Sequence, residues 1–140
     1  MNIVKEVNTI SKTILLIDDE LNVREIVKLC LQDLAGWNVV TADSPLEGLQ
    51  SAVRDSPDAI VLDISIRDTA SFELINKIRN NPETQAIPVV LLSAKVVRWL
   101  NSQILRQYEV AGVILKPFDP VTLPAQIATL LDWDFTSLIN

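Results

Sequence analysis

Thr13-Ile14-Leu15-Leu16-Ile17-Asp18-Asp19 decides the fold of this chain: a short, almost wholly apolar run that stops abruptly at two carboxylates. A strand covered on both faces reads as a continuous apolar run, without the alternation of a half-exposed strand. Ala59-Ile60-Val61-Leu62 repeats the arrangement and ends at Asp63. Open α/β sheets build their sites at the C-terminal ends of such strands. Two strands ending in carboxylates therefore point to one shared acidic pocket. Carboxylates gathered in a pocket repel one another and coexist only with a cation or with protons.

Outward from that stretch, apolar runs alternate with helix-period segments. Strands are expected over Thr13–Asp18, Trp37–Thr41, Asp58–Asp63, Ile87–Leu92 and Gly112–Leu115. Val23, Ile26, Val27, Cys30, Leu31 and Leu34 recur at helical spacing and make one apolar stripe, which Gly36 ends. A second helix is expected over 44–53, with Ser44 as its cap, Pro45 in first position, and Leu46, Leu49 and Val53 turned inward. A third spans about 71–79 and stops at Asn80-Asn81-Pro82, and a fourth spans about 95–108. The fifth lies within 122–131, because Pro124 cannot sit in a helix interior and so moves the start to about Thr122. Alternation of this kind implies α/β architecture, a (βα)5 domain with a doubly wound parallel five-stranded sheet. Strand order 2-1-3-4-5, the flavodoxin-like solution, puts the switch point between the two strands that end in aspartates. Residues 1–12 read as an N-terminal extension, 13–132 as the domain and 133–140 as a C-terminal tail.

Composition narrows the function. Apolar residues make up 49% of the 140, enough for a real core. A net charge of −6 argues against direct nucleic-acid binding, which needs a basic face. The lone cysteine, Cys30, reads as a small core residue and permits no internal disulfide. Without histidine, the usual zinc sites and Ser-His triads are excluded. Three glycines and no Gly-x-Gly-x-x-Gly exclude a dinucleotide fingerprint. No signal peptide or membrane-length apolar run is present, so a cytoplasmic location without membrane insertion is expected.

The other strand ends complete the pocket. Strand 4 ends at Ser93 and strand 5 at Lys116-Pro117. Three carboxylates, a hydroxyl and an ammonium suit a phosphoryl group with a hard cation, and oxygen ligands suit Mg²⁺. Asp63 is then the group placed to attack phosphorus, with Lys116 offsetting charge on the phosphoryl oxygens and Ser93 donating a hydrogen bond to one of them.

Taken in order, Ile17-Asp18-Asp19-Glu20, Asp63, Ser93-Ala94 and Lys116-Pro117-Phe118 resemble the receiver domain of two-component response regulators. The resemblance covers about 13–132 and is closest in kind to stand-alone chemotaxis regulators. It implies Asp63 as phosphoacceptor, and Mg²⁺ bound by Asp19, Asp63 and the backbone carbonyl of Ser65, with Asp18 helping largely through water. It implies a sensor histidine kinase or histidine phosphotransfer protein as donor. Chemistry beyond self-phosphorylation and autodephosphorylation is not expected. With a tail of eight residues, 133–140, after the expected domain, output is expected through a downstream protein, and the helix 4–strand 5–helix 5 surface is a candidate homodimer face.

The chain departs from the family pattern in three places. After the phosphoacceptor it reads Ile64-Ser65-Ile66-Arg67-Asp68-Thr69-Ala70-Ser71, with Arg67 at the usual proline and Ser71 at the usual glycine. Val113 holds the position of the switch aromatic. These departures motivate an alternative, a receiver-like interaction module that works without phosphorylation. A phosphatase of the haloacid-dehalogenase kind is a third reading, opposed by the adjacent Asp18-Asp19 where that family has Asp-x-Asp. Trp99, among Val96, Val97, Leu100 and Ile104, suits either core or partner contact, and Trp133, Phe135, Leu138 and Ile139 are expected to fold back onto the domain.

Overall fold

The computed structural model describes residues 11–64, 70–94 and 102–136. Among them, the elements run β1 (Thr13–Ile17), α1 (Leu21–Ala35), β2 (Asn38–Ala42), α2 (Pro45–Asp55), β3 (Ala59–Ile64), α3 (Ala70–Arg79), β4 (Val89–Ala94), α4 (Ser102–Gln107), β5 (Gly112–Lys116) and α5 (Leu123–Leu131). The five strands are all parallel in the order β2-β1-β3-β4-β5. The doubly wound sheet expected from the alternating pattern is thus present.

Alternation along each strand builds two cores. Ile14 and Leu16 of β1 point to one face, with Val61 and Val90, and are covered by Val27 and Leu31 of α1 and by Leu123 and Ile127 of α5. Leu15 and Ile17 point to the other face, with Ile60, Leu62 and Leu91, and are covered by Ala52 of α2 and by Leu74, Ile75 and Ile78 of α3. Full burial of each such side chain stabilises the fold by roughly 1.5–3 kcal/mol. Central strands apolar on both sides are what these two cores require.

The helix ends follow local chemistry. Gly36 closes α1 at φ 70, a left-handed conformation that costs glycine little. Ser44 caps α2 by accepting a hydrogen bond from the Glu47 backbone N–H at 3.2 Å, with Pro45 in first position. The α5 helix starts one residue past Thr122, with Pro124 buried in its first turn. The apolar stripes hold less well. Leu46, expected inward, is 69% exposed, and Val53 and Ile26 also face outward. In α2 the buried face is made by Gly48, Ser51 and Ala52, with Leu49 packed against the same core as expected; at Gly48 the helix lies too close to Ile17 for a side chain. Cys30 is half-buried rather than a core residue. Strands β2, β3 and β4 each end one or two residues later than expected, and Trp37 precedes β2 instead of opening it. The fourth helix is described only over its C-terminal part, and the stripe of Val96, Val97, Trp99 and Leu100 lies outside the described residues, as do Leu138 and Ile139.

Two devices tie the N-terminal edge of the sheet. Trp133 and Phe135 pack edge-on against Trp37, with ring centroids 5.4 and 6.0 Å away, and the Lys12 ammonium lies 4.9 Å from the centre of the Trp133 ring. Arg79, the last residue of α3, donates to four carbonyls: Gln85 and Ile87 before β4, at 3.0 and 2.7 Å, and Tyr108 and Glu109 after α4, both at 3.1 Å. Replacing it by Met keeps the stem and removes every donor. Charge-assisted hydrogen bonds contribute more than neutral ones, so Arg79→Met is expected to cost about 3 kcal/mol in urea-induced unfolding. A loss under about 0.5 kcal/mol would show that the clamp carries no weight.

Candidate functional site

Register decides which side chains meet at the opposite edge. Ile17 of β1 pairs with Leu62 of β3, so the next residues stand side by side: Asp18 just past the end of β1, and Asp63 one residue before the end of β3. Leu16 and Val61 belong to the α1/α5 core, and so does Ile114 of β5. With a side-chain period of two, Asp18, Asp63 and Lys116 all fall on that same side. They line a cleft of about 580 Å³ together with Asp19, Glu20, Asp43, Ser44 and Ala94. On the other side of β1, Gly48 lets α2 approach closely: a Cβ there would come within 2.6 Å of Ile17 Cδ1, just before Asp18.

Asp18 is 2% exposed. Its backbone N–H donates to the Ala42 carbonyl at 3.0 Å, and its Oδ1 accepts from the Glu20 backbone N–H at 2.9 Å. Its Oδ2 is buried and has no hydrogen-bond donor. Asp63 is nearly as enclosed, with 9% of its side chain exposed. Lys116 Nζ donates to both of its carboxylate oxygens, at 2.5 Å to Oδ1. Burial, and next the adjacent Asp18 carboxyl, push the Asp63 pKa up to about 7, while Lys116 pulls it down. Neighbouring carboxylates repel one another when both are ionised, which favours a proton or a cation at this pair.

That titration reaches into stability. Asp63 holds its proton to about pH 7 in the folded chain and releases it near 3.8 when unfolded. Between those values the folded state binds more protons, so stability falls as pH rises from about 4 to about 7. Without divalent cations, the Asp63 contribution is expected to fall by a few kcal/mol over that interval, at about 1.4 kcal/mol per pKa unit. Urea titrations at pH 5 and 7.5 check this, because the fall should be absent from Asp63→Asn; equal slopes in both proteins would contradict it.

Ser93 is fully buried, and its hydroxyl donates to the Ala94 carbonyl at 3.2 Å. It sits inside β4 rather than beyond its end, because that strand continues to Ala94. Asp19 is exposed at the rim. Ser65, Arg67, Asp68 and Thr69 lie outside the described residues, as does Lys95. Strand-end reasoning missed Asp43, which follows β2; extending that strand by one residue, to Ala42, would have revealed it.

No three His, Cys, Asp or Glu side chains among the described residues stand together as a ready-made metal cage. The donor set nonetheless fits a hard cation: oxygen only, with one buried carboxylate oxygen lacking a donor and a second carboxylate beside it. Mg²⁺ keeps several waters and needs only one or two carboxylates.

Comparison with known proteins identifies the family. The family model for the response regulator receiver domain matches residues 14–128. Chemotaxis protein CheY-3 of Vibrio cholerae is 31% identical over 121 residues, which are 85% of this chain and 91% of that protein. The phosphate regulon transcriptional regulatory protein PhoB of Pseudomonas aeruginosa is 31% identical over 122 residues, 87% of this chain, but the match spans only 52% of that longer protein. For a probable transcriptional regulatory protein of Mycobacterium tuberculosis, TcrX, the share is 34%. The structure of the chemotaxis response regulator CheY4 of Vibrio cholerae superposes with a TM-score of 0.75 at 27% identity, covering 86% of this chain and 98% of that one.

Proposed function

Since the chain belongs to the response regulator receiver domain family, we propose that it is a phosphorylation switch with Asp63 as its phosphoacceptor. The observation that carries the proposal is the Asp63 carboxylate, enclosed beside a donorless Asp18 oxygen and gripped by the Lys116 ammonium. A carboxylate so placed is shielded from water and faces a fixed positive charge.

The donor is a phosphohistidine on a sensor kinase or phosphotransfer protein, and action in the cytoplasm goes with that donor. An Asp63 oxygen attacks phosphorus, the P–N bond breaks, and the imidazole nitrogen leaves with the bonding pair and takes a proton from solvent. Asp63 must be ionised to attack, which makes its raised pKa part of the mechanism. Lys116 turns from the carboxylate to the phosphoryl oxygens, and Ser93 exchanges its Ala94 carbonyl for one of them by rotation about χ1. Receiver domains depend in general on Mg²⁺; here Asp18, Asp19, Asp63 and the Ser65 carbonyl would hold it, and when bound it neutralises charge on the transferring group. An apolar groove of about 470 Å³, lined by Val23, Ile26, Pro117, Phe118 and Pro120, adjoins the cleft through Lys116 and suits a protein donor better than a free metabolite.

Output runs through protein–protein contact. Leu115 on β5 is 49% exposed beside a shallow groove formed with α5, consistent with a docking or homodimer face there. No helix among the described residues is long and apolar enough to cross a membrane. Incubation with acetyl phosphate and Mg²⁺ followed by intact mass measurement tests the proposal. One added phosphoryl group is expected; none would end it.

A further inference from the structure

We infer that Arg24 is a positioning residue for the Mg²⁺ end of the cleft, acting through the backbone between β1 and α1; the inference rests on the function proposed above. Helix α1 opens at Glu20, whose side chain makes no capping hydrogen bond, and its first turn holds no acidic residue. It holds Arg24 instead, a cation at the positive end of the helix dipole. That placement opposes the usual preference for anions there and calls for a compensating role.

The contact that Arg24 makes supplies one. Its Nη1 donates to the backbone carbonyl of Asp18 at 2.8 Å, reaching back six residues across the connection. Its own N–H donates to the Glu20 carbonyl at 3.0 Å, which anchors the arginine to the same loop. Asp18 is then fixed at three polar atoms: N–H on Ala42, Oδ1 on Glu20 and the carbonyl on Arg24. Only Oδ2 is left, buried without a donor in the cleft wall. The carbonyl that Arg24 holds belongs to the peptide unit that carries the Asp19 N–H, so one guanidinium sets the direction of both acids. The guanidinium touches neither carboxylate group in this arrangement; it orients them through the main chain, as outer partners of metal ligands commonly do.

The test uses the intact chain with Mg²⁺ alone, titrated calorimetrically, and amide hydrogen exchange at Asp19 and Glu20 in the metal-free protein. Arg24→Ala is expected to weaken Mg²⁺ binding by about tenfold or more and to speed exchange at those amides, and Arg24→Lys, which keeps a donor and a charge, to recover part of both. Should Arg24→Ala fail to fold, Arg24→Gln, whose shorter arm does not reach the carbonyl, carries the same expectation. Wild-type Mg²⁺ affinity retained within twofold, with unchanged exchange, overturns the inference and leaves the phosphorylation reading intact. If the wild-type chain itself binds no Mg²⁺, both readings fall together.

Discussion

Asp63→Asn is expected to abolish phosphoryl uptake, leaving no detectable mass gain under conditions that modify the wild-type chain fully. An amide oxygen is a poor nucleophile and cannot form a stable acyl phosphate, whereas the size and position of the side chain are unchanged. Asp18 and Asp19 are poor substitutes. Asp18 is pinned by the Glu20 N–H, and Asp19 is exposed at the rim, away from the grip of Lys116. The variant should also fold at least as well at neutral pH, because it removes a charge whose burial and whose neighbour Asp18 both oppose ionisation. Loss of uptake therefore cannot be ascribed to unfolding. Intact mass after acetyl phosphate treatment, with a melting curve on the same sample, decides the matter: equal uptake by the variant would move the phosphoacceptor elsewhere.

Lys116→Met carries the second large effect, on two readouts with one cause. The ammonium donates to both oxygens of Asp63 and is the cation that holds its pKa down. Removing it deprives the transferring phosphoryl group of a preorganised donor, and losses of that kind are typically about 10²–10³ in rate. It also leaves the proton on Asp63 more tightly held. The pH profile of phosphorylation, whose lower limb reports ionisation of the attacking carboxylate, should then shift to higher pH than in the wild-type chain. Rates from acetyl phosphate, followed by mass at a series of pH values, separate the two. A slow variant with an unmoved profile would assign Lys116 to phosphoryl stabilisation alone.

The fold was legible because its three central strands, β1, β3 and β4, are buried on both faces. An alternating polar and apolar pattern was not needed: Ile14 to Ile17 and Ala59 to Leu62 are apolar at every position since cores lie above and below them. The site was legible for the same reason, since the first polar residue after such a run marks where the strand leaves the core. That rule located Asp18, Asp63 and Lys116, which converge on one cleft. It set the strand ends one residue early at Ser93 and at Asp63 alike, since β4 runs on to Ala94 and β3 to Ile64. The α2 stripe held at Leu49 but not at Leu46 or Val53, because helical periodicity records which residues are apolar, not how closely the helix approaches the sheet; at Gly48 that approach excludes even a methyl group unless Ile17 moves. Arg24 and Arg79 gave no sequence signal, since both act on carbonyl oxygens, and a carbonyl carries no side-chain identity.

The stacking of Lys12 over Trp133 has a topological consequence. It brings the residue entering β1 and the residue leaving α5 to neighbouring points on the rim farthest from Asp63. A linker of a few residues can bridge that gap, so the domain can be circularly permuted there, with new ends opened in a surface connection. Fluorophores or fusion partners hung from the same rim project away from the phosphorylation cleft and leave the approach of a donor protein unobstructed.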